Sequence, residues 1–253
     1  MNKNLKIIIL AAGRGSRLKS RTNLNPKYLT RVNGKSIFDW QFQIFKELHI
    51  KNENIYIVAG YKSEKINFKN KIINKKWRKS NMLYSLLQAS EVLKNNNCIV
   101  CYGDILFKKN VLKKLNLMNN NITIVYDKNW EKLWKKRFKN IYSDAENFKI
   151  NNKKKILEIG GKLRKRKTNN GQYIGLMKFN KKIWKKINLY LSTLKQKDLL
   201  KMDMTTFFSK LISNKFELKG LPINGSWVEI DSTKDIKLYE KLLKIKDWPH
   251  KWF

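Results

Sequence analysis

Along the chain, short apolar runs alternate with amphipathic stretches of helical period. Leu5 to Leu10 is an apolar run of the kind expected for a central parallel strand covered on both faces, and it leads into Gly13 and Gly15. Asn33-Gly34 marks a tight turn between two short extended segments. From Ser36, residues Ile37, Trp40, Ile44, Phe45 and Leu48 fall on one helical face, with Asp39 in the first turn. Ile55 to Ala59 predicts a second strand, stopped by Gly60. Met82, Leu83, Leu86, Leu87 and Val92 predict another amphipathic helix, Cys98 to Tyr102 a third strand ending at Gly103-Asp104, and Ile122 to Tyr126 a fourth.

This order predicts an α/β fold: a Rossmann-like, open, mixed but mainly parallel sheet flanked by helices. Such sheets bind ligands at the carboxyl ends of their strands. The glycine turn, Gly60-Tyr61 and Asp104 each follow a strand, so all of them are expected to line one crevice. From Asp127 to about Asn170 the rhythm changes to aromatic and charged residues, read as inserted strands and loops that extend the sheet over the crevice. Gln172 to Phe179 is extended again, followed by two helical stretches. Gly225 to Asp231 reads as a strand entering the crevice, and Ser232 with Asp235 forms a capping box for a final helix.

Composition narrows the partners. At 253 residues with 42% hydrophobic content there is material for a substantial core. No apolar run approaches the roughly 20 residues of a membrane span. Neither a signal peptide nor a transmembrane helix is expected, which points to the cytosol. Cys98 and Cys101 lie three apart on a strand and so point to opposite faces; a shared metal or disulfide is disfavoured. The net charge of +37 would attract polyanions, but lysine is spread evenly, with one dense knot at Lys162 to Lys167. A nucleic-acid reader wants its charge focused on one face. Compositional drift combined with anionic small substrates is the favoured reading.

The chemistry starts in Leu10-Ala11-Ala12-Gly13-Arg14-Gly15-Ser16-Arg17-Leu18, followed by Pro26-Lys27. Small residues let the backbone approach a phosphate chain, and successive amides form an anion-binding nest. Arg17 would reach the β- and γ-phosphates, and Lys27 would neutralise the phosphate under attack. A dinucleotide fingerprint is excluded because Leu18 stands where a third glycine is needed. Gly34-Lys35-Ser36 is no P-loop, because Leu29 replaces the required earlier glycine.

That run, with Pro-Lys downstream, resembles the sugar-phosphate and phosphocholine nucleotidyltransferase family. Gly60-Tyr61, Asn81 with Tyr84-Ser85-Leu86, Gly103-Asp104 and Trp227-Val228-Glu229-Ile230-Asp231 extend the resemblance along nearly the whole chain. The resemblance implies direct in-line displacement at the α-phosphorus, without a covalent enzyme intermediate. It also implies Mg²⁺ held by Asp104 and Asp231, with Glu229 as a fallback ligand or acceptor contact. The base is expected against Ala11, Ala12 and Gly60, with Ser85 or Asn81 at its edge, and the cytidylyltransferase branch implies CTP. One domain over 1–253 is expected: a nucleotide-binding half (1–126), an acceptor-binding and second metal-binding half (127–231), and a C-terminal helix and tail (232–253).

The acceptor side is read from Tyr126 to Glu146. Trp130 and Trp134 lie one helical turn apart and would stack together, either as packing or as pocket wall. Arg137 would clamp a carboxylate or phosphate, and Asp144 or Glu146 would receive an ammonium. Tyr173 and Trp227 resemble the family's aromatic acceptor contacts. Acid and base beside aromatics suit a small, zwitterionic, amino-acid-like phosphorylated acceptor better than a sugar. Phosphocholine, 2-aminoethylphosphonate and sugar 1-phosphates remain the alternatives, and a basic nucleic-acid-binding module is the non-enzymatic one. The tail Trp248 to Phe253 is apolar enough to form an interface or to pack on the domain.

Overall fold

A computed structural model describes residues 5–163 and 169–253. Most of the basic knot, from Arg164 to Lys167, lies outside these residues. β1 (Leu5–Ala11) leads through the glycine turn to the two-residue strands β2 (Arg31–Val32) and β3 (Lys35–Ser36), paired about Asn33-Gly34. Helix α1 (Ile37–Glu47) opens on a full capping box, in which Ser36 Oγ accepts from the Asp39 amide and the Asp39 carboxylate accepts from the Ser36 amide. β4 (Ile55–Ala59), the edge strand β5 (Lys71–Ile73), α2 (Met82–Gln88) and α3 (Ser90–Asn95) follow. The single helix expected over Met82 to Val92 is therefore two. Ala89 leaves helical torsions, and α3 turns onto a later helix, where Ser90 Oγ accepts from Trp184 Nε1 at 3.1 Å.

The chain continues with β6 (Asn97–Tyr102), β7 (Ile105–Phe107), α4 (Lys109–Leu117), β8 (Ile122–Asp127) and α5 (Trp130–Arg137). Next come β9 (Glu146–Ile150), β10 (Ile156–Lys162), β11 (Gln172–Phe179), α6 (Lys181–Ser192), α7 (Gln196–Lys201) and α8 (Met204–Ser213). β12 (Lys219–Ile223), β13 (Trp227–Glu229) and α9 (Thr233–Leu242) complete the order. The central sheet runs β12-β8-β11-β6-β1-β4-β5. Its pairs are parallel except where β11 runs antiparallel to β6 and β8. The mixed, mainly parallel α/β sheet expected from the sequence is present.

Three details differ from expectation. The segment after Asp127 does not extend the central sheet: it forms α5 and then the antiparallel pair β9–β10, a separate two-stranded sheet. The two helical stretches after β11 are three. The strand expected from Gly225 to Asp231 shrinks to β13, because Gly225 and Ser226 take positive φ and Ser232 already caps α9. β13 pairs with β7 rather than joining the main sheet.

Alternation along β1 supplies both cores. Ile7, Ile9 and Ala11 pack with α1, α4, α5 and α9, whereas Ile8 and Leu10 pack with α2, α3, α6 and α8. Cys98 and Cys101 fall into opposite cores, and burial pushes the Cys98 thiol up to about 12, so neither sulfur is poised to react. The aromatic tail packs on the domain, with Trp252 edge-on to Trp40 at 5.9 Å. Among the described residues no helix is long and apolar enough to cross a membrane.

Candidate active site

β1 is flanked by β6 on one side and β4 on the other, and the connections leave in opposite directions, so a crevice opens at their carboxyl ends. The glycine turn sits over this crevice because Gly15 takes a left-handed conformation (φ 69°); a Cβ there would lie 2.7 Å from Lys27 Cδ. The turn and Lys27 are thus packed against each other.

A cavity of about 220 Å³ lies beneath the turn. Leu10, Ala11, Ala12, Gly13, Gly15, Lys27, Asn81, Ser85 and Asp104, all singled out in the sequence, line it. Gly103, named with Asp104 in the sequence, lines it as well, and Trp77, Ser80 and Tyr28 line it too and were missed. Asn74, buried completely, donates to both Ser80 Oγ (2.9 Å) and Ser85 Oγ (3.0 Å) and so fixes the two hydroxyls on the wall. Gly60 does not line this cavity. It lies behind Trp77, whose Cβ would be 2.5 Å from an added Cβ, so the indole takes the place expected of the glycine. Arg14 and Ser16 also lie off the wall: Arg14 stands 5.5 Å over the Tyr61 ring, and Ser16 begins a 3₁₀ turn.

A second cavity of about 360 Å³ shares Asn81 and Met82 with the first. Arg17, Trp134, Asp144, Glu146, Tyr173, Trp227 and Glu229 line it, together with Tyr102, Gln172, Asp203 and Thr205, which the sequence did not disclose. Trp130 does not: it is 2% exposed and meets Trp134 edge-on at 6.0 Å rather than stacked, making it core packing. Arg137 does not line it either. Its side chain is buried beneath the site, with its nitrogens committed to Glu229, Asp231 and Asp235, so it is not the free clamp the sequence suggested. Glu146 accepts a hydrogen bond from Thr205 Oγ1 at 3.0 Å. Burial, against that bond, pushes its carboxyl up to about 7.

Between the cavities stand the charges. Lys27 Nζ lies 2.7 Å from Asp104 Oδ2 and 2.9 Å from Asp231 Oδ1, and Arg17 Nη2 lies 2.9 Å from the same Asp231 oxygen. Burial opposes the Lys27 charge, but the two aspartates outweigh it and hold the ammonium above its ordinary range. Burial likewise opposes ionisation of Asp231, yet Lys27, Arg17 and Arg137 hold it below the usual carboxylate range. Glu229 is pushed the other way, by burial and by Asp231 beside it. Oxygens of Asp104, Glu229 and Asp231 lie within 4.8 Å of one another, and Asp104 Oδ1 is buried without a hydrogen-bond partner. Hard oxygen donors so gathered, one of them unsatisfied, fit a Mg²⁺-like cation.

A glycine turn at a strand end, a cationic pair and a carboxylate cluster beside two adjoining cavities are the arrangement of a nucleotidyltransferase. The profile of the MobA-like NTP transferase domain matches residues 7–133, and the chain belongs to that family. The CTP:phosphoglutamine cytidylyltransferase of Campylobacter jejuni is 33% identical over 252 residues, 92% of this chain and 98% of that protein. The choline-phosphate cytidylyltransferase of Streptococcus pneumoniae is 34% identical over 47% of this chain and 50% of its own length. The solved CTP:phosphocholine cytidylyltransferase of the same organism superposes over 95% of this chain and 99% of its own, with a TM-score of 0.66 and 24% identity, a likeness of fold.

Proposed function

We propose that this enzyme transfers CMP from CTP to a small phosphorylated, amino-acid-like acceptor, L-glutamine phosphate being the leading candidate, and releases pyrophosphate. The observation that carries the reading is the pair of joined cavities with Lys27, Asp104 and Asp231 at their junction. In the proposed reaction an acceptor phosphate oxygen bonds to the α-phosphorus as the bond to the bridging β-oxygen breaks. Lys27 stays protonated and neutralises charge on the α-phosphate, so it is no general base. Arg17, its side chain 64% exposed and paired with Asp231 on the wall of the second cavity, would exchange that partner for the departing pyrophosphate. Asp104 and Asp231, with Glu229, would hold Mg²⁺, which supplies charge neutralisation between the phosphates. Ser80, Ser85 and Asn81 offer hydrogen bonds to the base edge, and Trp77 a ring face.

For the acceptor, Glu146 and Asp144 would take an ammonium beside Trp134, Trp227 and Tyr173. That wall suits a primary ammonium with further polar groups, as does the similarity to the Campylobacter enzyme along nearly its whole length. The aromatic content of the cavity favours phosphocholine as the second reading. We place the reaction in the cytosol, serving surface-polysaccharide modification. The test is pyrophosphate release across the four nucleoside triphosphates with phosphoglutamine, phosphocholine, 2-aminoethylphosphonate and glucose 1-phosphate. CTP with phosphoglutamine should give the highest kcat/KM, and Asp104→Asn should abolish it. A preference for phosphocholine would replace the acceptor assignment, and turnover with no pair would overturn the reading.

A further inference from the structure

Beneath the carboxylate cluster, the Arg137 side chain is 1% exposed. Each of its nitrogens meets a different acid: Nη1 donates to Glu229 Oε2 at 3.0 Å, Nη2 to Asp231 Oδ2 at 3.1 Å and Nε to Asp235 Oδ1 at 3.1 Å. The rings of Trp134 and Phe138 lie 5.1 and 5.0 Å from the guanidinium carbon. Asp235 is itself immobilised at the start of α9, where its Oδ2 accepts from the Asp231 amide (3.0 Å), the Ser232 amide (2.8 Å) and Ser232 Oγ (2.9 Å). A rigid anchor therefore holds one edge of a planar fork, and the fork holds two of the three clustered carboxylates.

The oxygens of Asp231 are divided between two tasks. Oδ2 faces Arg137, while Oδ1 accepts from Lys27 and Arg17 on the side of Asp104. Lysine in place of Arg137 would keep the charge but could not present donors to three acids in one plane.

We propose that Arg137 is a positioning residue for the metal centre. It grips Asp231 and Glu229 from behind, so that Asp231 Oδ1 stays aligned with Asp104 to receive a divalent cation. Its position on α5, next to Trp134 in the acceptor cavity wall, also ties that wall to the ligand set. The inference rests on the metal-assisted reading above, and it makes a prediction of sign. A buried positive charge beside a cation site repels the cation, so charge alone would make Arg137 an obstacle to metal binding. What its charge does to keep the acids ionised lysine would share, whereas the planar fork alone orients the ligands.

The test titrates the full-length protein with Mn²⁺ as probe, by calorimetry and by the loss of free-ion EPR signal, for wild type, Arg137→Lys and Arg137→Met. Thermal unfolding checks that each variant is folded. Positioning predicts that the Mn²⁺ Kd rises roughly 10- to 100-fold in both variants. It also predicts that lysine fails to rescue despite its charge, and that kcat for pyrophosphate release falls while KM for the nucleotide changes little. Tighter Mn²⁺ binding by Arg137→Met with wild-type binding by Arg137→Lys would mean that only charge matters, and would overturn the proposal. Unchanged affinity in both would also overturn it. Should both variants fail to fold, Asp235→Asn decides, since it weakens the anchor that holds the Arg137 fork and leaves Arg137 in place. A raised Kd then supports the proposal and an unchanged one overturns it. Wild-type protein that binds no Mn²⁺, with or without CTP, would instead overturn the metal-assisted reading. Variants that bind as tightly as a binding wild type refute this inference alone.

Discussion

Asp127→Asn is the substitution whose cost the structure lets us work out most completely. Asp127 is fully buried at the end of β8. Its Oδ1 accepts from the amides of Asn129 (2.8 Å) and Gly225 (2.8 Å), and its Oδ2 from Trp227 Nε1 at 2.9 Å. His250 Nδ1 lies 3.6 Å from Oδ2, beyond hydrogen-bonding distance, and burial lowers the imidazole's proton affinity. Three donors thus converge on one carboxylate that orients an indole of the second cavity. Asparagine keeps one oxygen. Turned to satisfy the two amides, it presents its NH₂ to the indole N–H, donor against donor. The loss is a charge-assisted bond worth about 1.5–3 kcal/mol, and the unsatisfied indole adds roughly 1–3 kcal/mol. Urea unfolding should therefore show a destabilisation of roughly 2.5–6 kcal/mol with an unchanged m-value. Trp227→Phe removes the same donor, so the double variant should fall well short of additivity. Because Trp227 lines the second cavity, KM for the acceptor should rise while KM for the nucleotide holds. A destabilisation of Asp127→Asn below about 1 kcal/mol, or strict additivity with Trp227→Phe, would refute the reasoning.

Other consequences follow from the two cavities. Trp77→Ala removes a wall of the first cavity and should raise KM for the nucleotide about tenfold, leaving that for the acceptor within a factor of two, as steady-state kinetics will show. Glu146 is held up to about 7 by burial, above its ordinary 4.5. In the folded enzyme it gains the charge needed for an ammonium only as pH rises through about 7. Acceptor KM should fall across pH 6–8 in wild type more steeply than in Glu146→Gln, and identical profiles would exclude the contact. By linkage, the raised value favours folding fully below about pH 4.5, and that contribution is lost as pH rises through 7. Glu146→Gln should therefore gain stability relative to wild type over that window, in unfolding curves taken at each pH.

What the sequence disclosed follows the range of the forces involved. The strand-end positions of Gly13, Gly15 and Asp104 were legible because an apolar run and a glycine turn are local signals, and the capping boxes at Ser36 and Ser232 were legible for the same reason. Arg137 was not. An arginine beside tryptophans reads as a ligand clamp until the fold brings Glu229, Asp231 and Asp235 to it from more than ninety positions away. Trp77 carried a faint signal, as the lone aromatic between Asn74 and Asn81, but its place over Gly60 depends on where β5 ends. Asp203 and Thr205 were hidden for a different reason. Asp203 also caps α8, with its carboxylate accepting from the Thr206 amide, and nothing local distinguishes a cap from a cavity wall.

The chain's charge takes on meaning against this site. Lysine and arginine number 56 and aspartate and glutamate 19, yet Asp104, Asp144, Glu146, Asp203, Glu229 and Asp231 gather at the two cavities, with Asp127 and Asp235 beneath. A cluster of acids is thereby set in a strongly positive surround. Under the proposed reaction the surround would draw a polyanionic nucleotide toward the crevice, while the centre would receive a divalent cation and an ammonium. The two effects differ in range, and this makes them separable. The surround acts through solvent, where the screening length shrinks from about 30 Å at 0.01 M salt to roughly 8 Å at 0.15 M. The central contacts are short and buried, and salt screens them weakly. Raising KCl over that range at saturating Mg²⁺ should lower kcat/KM for the nucleotide several-fold while leaving kcat nearly constant. If kcat/KM for the nucleotide were flat with salt, the excess of lysine would have no part in capturing substrate.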